Sequence, residues 1–167
     1  TKVNGLVGLG SETGWLTSKI SEEKDKFSHF LEAEVYTHID SKESFDLRDG
    51  SSFLRTLTLI GNEKINGFGN KKANVIKGNS SANLLVGLDG DDTLEGGQGD
   101  DTLIGGDGLD VARFSGVSSE YSVSPKVQKG KKGFEIKHLV SGHHGIDFLH
   151  DVETLLFDNG LFLAEDL

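Results

Sequence analysis

The sequence predicts an all-β chain wound as a right-handed parallel β-roll, a solenoid of short strands joined by tight turns. Two observations predict it. Residues 87–110 read GLDGDDTLE, GGQGDDTLI, GGDGLD, nearly three copies of a nine-residue unit G-G-x-G-x-D-x-U-x in which U is apolar. The same phase runs upstream through GNKKANVIK from Gly69 and GNSSANLLV from Gly78, and into a shorter row, GNEKINGF, from Gly61.

Each column of the unit has a physical task. Gly87, Gly96 and Gly105 hold the first place and Gly90, Gly99 and Gly108 the fourth, where a tight turn needs backbone that glycine reaches without penalty. Asp92, Asp101 and Asp110 hold the sixth place, and Leu94, Leu103 and Ala112 the eighth. The x-U-x tail suffices for a very short strand with one inward side chain, so two units make one flattened coil of turn, strand, turn, strand. Successive coils then stack as parallel strands about 4.8 Å apart. In the upstream rows Asn74 and Asn83 take the sixth place and Ile76 and Leu85 the eighth; the short row aligns Asn66 and Phe68 with them. A solvated linker would share the acidic, glycine-rich composition, because residues 87–110 carry eight acids and no base. The apolar eighth column argues against that reading.

The flanks divide the chain into three regions: residues 1–40, the roll over 41–113, and a β-rich cap over 114–167. The first region is weakly patterned around Trp15 until Ser21, where SEEKDKFSHFLEAEVY places Phe27, Phe30, Leu31 and Val35 at helical spacing. With Ser21 as N-cap and Glu22 and Glu23 in the first turn, this predicts one amphipathic helix covering the open end of the solenoid. Residues 44–47 and 54–59 read as short strands around the turn RDGSS. Residues 121–124 and 134–140 alternate as antiparallel strands joined by the basic turn KVQKGKKG.

Composition narrows the function classes. Seventeen basic residues against 27 acidic ones give a net charge of −10 over 167 residues, unsuited to nucleic acid and suited to cations. There is no cysteine, so rigidity has to come from packing or metal. No apolar run has the length of a membrane span. The chain starts at Thr1 and has no methionine, so it is expected to be a piece of a longer protein.

Stacking coils two units apart brings Asp92 over Asp110 and Asp101 over Asn83. Carboxylates that close, beside free backbone carbonyls, repel one another unless a cation intervenes. A hard ion taking six to eight oxygen ligands, calcium, suits such a turn. The asparagine rows bring no charge and can hydrogen-bond along the stack instead, so they are expected to need little metal. By charge, the strongest site lies between the turns at 87–92 and 105–110, and a weaker one joins the turn at 96–101 to Asn83.

The nonapeptide array resembles the RTX, or repeats-in-toxin, family of calcium-binding proteins. The segments RFSGVSSEYSVS and GIDFLHDVETLLFDNG resemble the stretches common after the repeats in that family, through Phe114, Gly116, Tyr121 and Val123 and then Gly145, Asp147, Leu149, Val152, Glu153, Leu155, Phe157, Asp158 and Gly160. FDLRDGSSFLRTLTLIGN resembles its usual lead-in. The resemblance covers roughly residues 44–160. The candidate calcium ligands are Asn83, Gly87, Asp89, Gly90, Asp92, Gly97, Gly99, Asp101, Gly106, Asp107, Gly108 and Asp110, for about two to four ions. The resemblance implies a secreted or cell-surface module that leaves by the type I secretion machinery and folds on meeting calcium outside, with residues 161–167 as a candidate export signal. Two alternatives accompany it. One is contact with an acidic polysaccharide through Lys126, Lys129, Lys131 and Lys132, with Lys137 nearby; the other is a calcium-rigidified segment of an adhesin.

Other chemistry is weakly signalled. His143, His144 and His150, with Asp147 or Asp151, could suggest zinc, but the spacing fits no helical ligand pair. His29 reads as a helix-face residue, and His38 and His138 as strand-edge residues. No nucleophile elbow, phosphate loop or dinucleotide fingerprint appears. A carboxylate repeated in every row suits a scaffold better than an active centre, so no catalytic or cofactor-binding residue is expected in this stretch.

Overall fold

The computed structural model describes residues 38–48, 53–140 and 145–164. The helix expected from Ser21, with Trp15 and His29, lies outside them, as do His143, His144 and residues 165–167. Nine strands alternate between two sheets: β1 (His38–Ser41), β2 (Phe45–Asp46), β3 (Thr56–Leu59), β4 (Gly67–Phe68), β5 (Val75–Lys77), β6 (Leu84–Asp89), β7 (Thr93–Glu95), β8 (Thr102–Asp107) and β9 (Val111–Arg113). Odd-numbered strands pair in parallel in one sheet and even-numbered strands in the other. The described residues therefore form a parallel β-solenoid, with almost no helix among them.

The inward column forms the core. Leu57, Ile76, Leu94 and Ala112 stack in the odd sheet and Leu85 and Leu103 in the even one, all with no exposed surface. Full burial of each leucine or isoleucine contributes roughly 1.5–3 kcal/mol. That column supplies the fully buried hydrophobic surface of these rows, so each coil is stable only against its neighbours.

The short row departs from its expected phase by one residue. Gly67 pairs with Leu85 and Phe68 with Val86, so Ile65 and Gly67, not Asn66 and Phe68, occupy the sixth and eighth places. A side chain at Gly67 would meet Ile76 and Leu57 at 3.0 Å and Leu85 at 3.4 Å, which leaves no room for a phenylalanine. The one-residue shift turns Asn66 outward, where its Oδ1 accepts the Leu84 N–H at 2.9 Å.

The segment after the repeats contributes more than a cap. The chain leaves the roll after β9, makes a hairpin of β10 (Tyr121–Gln128) and β11 (Lys131–His138), and returns as β12 (Ile146–His150) and β13 (Thr154–Phe157). Strand β12 lies parallel beside β8, and β13 parallel beside β9. These two strands form another coil, with Leu149 and Leu155 continuing the inward columns. The exposed edges of this coil are then covered by antiparallel partners, β11 on β12 and β14 (Gly160–Leu163) on β13, which ends the parallel stacking.

The hairpin is antiparallel, as its sequence predicts, with Tyr121 opposite His138 and Gln128 opposite Lys131. Its two turn residues, Lys129 (φ 50°) and Gly130 (φ 79°), have the left-handed backbone of a tight hairpin turn. Pro125 is tolerated because β10 is an edge strand. Phe114, Tyr121 and Phe157 pack at centroid distances of 5.0–5.6 Å beneath the hairpin. No helix among the described residues is long and apolar enough to cross a membrane.

Candidate metal centre

The sixth-place residues form two ladders, one along each row of turns. In the first, Asp92 Oδ1 accepts the Asn74 N–H at 2.7 Å, Asp110 Oδ1 accepts the Asp92 N–H at 2.8 Å, and Glu153 Oε2 accepts the Asp110 N–H at 2.8 Å. In the second, Asp101 Oδ1 accepts the Asn83 N–H at 2.7 Å and Asp147 Oδ1 accepts the Asp101 N–H at 2.8 Å. Asp92 thus faces Asp110, and Asp101 faces Asn83. Asp147 and Glu153 join these ladders although they lie outside the nonapeptides; the signal that could have revealed them is D-x-L at 147–149 and E-x-L at 153–155, the spacing of Asp92 and Leu94.

One oxygen of each repeat aspartate is used in this way; the other is not. The Oδ2 atoms of Asp92, Asp101 and Asp110 are buried without a hydrogen-bond partner. Each points at the first-place glycine of its own turn: a side chain on Gly87, Gly96 or Gly105 would strike Asp92, Asp101 or Asp110 Oδ2 respectively. Beside Asp92 Oδ2 stands the carbonyl oxygen of Gly105 from the next coil. A buried carboxylate oxygen facing a carbonyl has no favourable arrangement without a proton or a cation between them.

The electrostatics agree. Burial is the largest cause raising these carboxyls above the ordinary range, to about 7 for Asp92 and about 6 for Asp101 and Asp110. Asp147 is pushed up to about 8, again chiefly by burial. The ladder N–H groups pull the other way, and neighbouring acids add to the rise.

The remaining predicted ligands shape the turns. Leu88, Gly97 and Gly106, in the second place, have φ of 87°, 98° and 120°, and Gly90, Gly99 and Gly108, in the fourth, have φ of 108°, 105° and 150°. Gly90 lies against the carbonyl of Lys72 and Gly108 against that of Gly90, so main-chain oxygens face each turn from the neighbouring coil. Asp89 and Asp107 stand side by side in register but are exposed. Asn83 is closed differently: its Oδ1 accepts the Asn79 N–H at 2.8 Å and its Nδ2 donates to Ile65 O at 2.6 Å.

Among the described residues no three His, Cys, Asp or Glu side chains converge as a metal-ligand group. A cation in these turns would therefore be held by one or two carboxylate oxygens and by main-chain carbonyls, an all-oxygen set that suits calcium. His150 has Nδ1 at 2.9 Å from Lys132 O and Nε2 at 3.0 Å from Asp151. Lys126, Lys129, Lys131 and Lys132 lie on the β10–β11 hairpin, with Lys126 paired to Glu135 at 2.5 Å.

Fold and turns together define a class: a parallel β-solenoid whose stacked turns offer unpartnered carboxylate and carbonyl oxygens to a hard cation. Residues 77–112 match the RTX calcium-binding nonapeptide repeat in four copies, so this part of the chain is an RTX calcium-binding repeat array. Among solved structures, the chain is similar to the extracellular lipase LipA from Serratia marcescens, with 21% identity and a TM-score of 0.47. That match covers 73% of this chain and 17% of the lipase chain. No curated protein matches this chain.

Proposed function

We propose that this module is a calcium-dependent folding switch that stabilises a larger secreted protein. The observation that carries the reading is the row of buried Oδ2 atoms at Asp92, Asp101 and Asp110, each without a hydrogen-bond partner. Without metal, these carboxylates must be protonated or repel one another, and the glycine-rich turns lose much conformational entropy on ordering. Calcium supplies the missing countercharge, so its binding free energy becomes folding free energy. About two to four ions are taken up, with affinities around 10⁻⁴ to 10⁻³ M, as in other extracellular modules.

Such a chain stays unfolded where calcium is scarce and folds where it is millimolar, which fits export in an unfolded state through a type I system. The Asp92, Asp101 and Asp110 carboxylates hold the ion, Gly87, Gly96 and Gly105 leave it room, and the neighbouring coils present carbonyls. The alternative expected of the hairpin lysines, contact with an acidic polysaccharide, has only their clustering in its favour.

The test is far-UV circular dichroism of the chain during a calcium titration, with magnesium as control. A cooperative gain of β-signal with calcium alone is the expected result. A spectrum already folded in chelator and indifferent to calcium would refute the switch.

A further inference from the structure

The donor arrangement of the repeats recurs once beyond them. In front of Gly87, Asp92 Oδ2 and the carbonyl oxygen of Gly105 converge, so that a side chain there would strike both. In front of Gly105 the same pair appears one coil later: a side chain would strike Asp110 Oδ2 and the carbonyl oxygen of Asp151. Asp110 is fully buried and its Oδ2 has no partner. Asp151 belongs to no nonapeptide. Its φ of 50° makes a short left-handed turn between β12 and β13, and this turn brings its carbonyl over Gly105.

The surroundings lock the two segments together around that point. Glu153 Oε2 accepts the Asp110 N–H at 2.8 Å, and the Glu153 and Thr154 N–H groups donate to the Asp110 carbonyl at 3.3 and 3.0 Å. The Gly106 N–H donates to the Asp151 carbonyl at 3.3 Å, and a carbonyl oxygen can accept a second partner. Asp110, Glu153, Asp91 and Asp151 bring like charge to one place, which a divalent ion would offset. An open cavity of about 360 Å³, lined in part by Asp151, Val152 and Glu153, adjoins the turn.

We propose that a calcium ion binds between the turn at Gly105–Asp110 and the turn at Asp151, held by Asp110 Oδ2 and the Asp151 carbonyl, and staples the post-hairpin segment Ile146–Ala164 to the repeats. The proposal rests on the calcium reading above and extends it to residues outside the repeat pattern. The ion then joins two parts of the chain separated by the whole hairpin, and the last coil forms in step with the acidic turns.

Hydrogen exchange of the chain in chelator and in millimolar calcium, together with a count of bound ions by native mass spectrometry, tests it. Calcium should slow exchange of the β13 amides about tenfold or more. Asp110→Asn, which keeps an acceptor for the Asp92 N–H, should bind one ion fewer and lose that slowing. An unchanged ion count in Asp110→Asn would overturn the staple. If that variant fails to fold, the wild-type exchange decides: β13 amides equally protected with and without calcium would overturn it. A wild-type chain that binds no calcium would sink the folding switch as well, whereas calcium binding without a response in β13 sinks the staple alone.

Discussion

The asparagine turns at 69–74 and 78–83 and the aspartate turns at 87–92, 96–101 and 105–110 occupy equivalent positions in one solenoid, yet they are closed in different ways. In the asparagine turns the second residue lacks a positive φ, and its N–H donates to the sixth-place amide: Asn70 to Asn74 and Asn79 to Asn83, each at 2.8 Å. The amide NH₂ then reaches the preceding coil, from Asn74 to Arg55 O and from Asn83 to Ile65 O. No buried side-chain oxygen or nitrogen of these turns is left without a partner. In the aspartate turns the second residue has positive φ, no N–H reaches Oδ2, and the carboxylate has no NH₂ with which to bridge the coils. Exchanging one amide for one acid, together with the backbone of one neighbouring residue, converts a self-closed turn into one with an unpartnered buried oxygen.

Acidity should separate the two conditions most strongly, because several carboxyls contribute. Burial in the folded chain pushes the carboxyls of Asp92, Asp101, Asp110 and Asp147 up to about 7, 6, 6 and 8, all above the ordinary value near 3.8. Folding in chelator is therefore favoured where these groups are protonated and loses stability as pH rises from about 4 to 8. Calcium needs the ionised form, so its stabilisation should weaken as pH falls through the same window. Thermal melts at pH 5 and pH 8, with chelator and with calcium, should show opposite trends; parallel trends would contradict the comparison.

Removing single carboxylates comes next. Asp92→Ala or Asp101→Ala deletes both a charged acceptor for a ladder N–H and a cation ligand, a loss of about 1.5–3 kcal/mol, or roughly 10- to 100-fold in the calcium midpoint. A calcium titration followed by circular dichroism measures it. The converse change, Asn83→Asp, buries a carboxylate in a turn whose backbone is already closed and deprives Ile65 O of its donor. Stability at saturating calcium should fall by about 1–3 kcal/mol, as read by urea unfolding, and further calcium should restore little because the Asn79 N–H already takes the oxygen an ion would need.

The smallest effect concerns Leu88, which stands where the unit prefers glycine and adopts φ of 87°. Left-handed backbone costs a leucine roughly 1–2 kcal/mol, part of which glycine gives back as unfolded-state entropy. Leu88→Gly should therefore raise the melting midpoint by the equivalent of about 0.5–1 kcal/mol. No change would mean that the packing of Leu88 outweighs its backbone cost.

Much of this arrangement was legible in the residues. Four columns in phase over residues 87–110, three of them continuing upstream to Gly69, imposed the parallel stacking, the inward Leu and Ile column and the opposition of Asp92 to Asp110, because a nine-residue period leaves one inward position per strand. The antiparallel pairing of residues 121–124 with 134–140 was equally readable, since hairpin pairing is local, although the strands run on into the expected turn as Tyr121–Gln128 and Lys131–His138. Three features depended on long-range packing. The phase of the short row was settled by the space between Leu57, Ile76 and Leu85, which crowd even a Cβ at Gly67 and leave no room for a phenylalanine. The return of Ile146–Phe157 to the roll depends on contacts across the intervening hairpin, which no local period records. The unpartnered Oδ2 atoms arise from burial and backbone conformation together: the sequence names the aspartates, but only the stacked coils exclude water from one oxygen while an N–H takes the other.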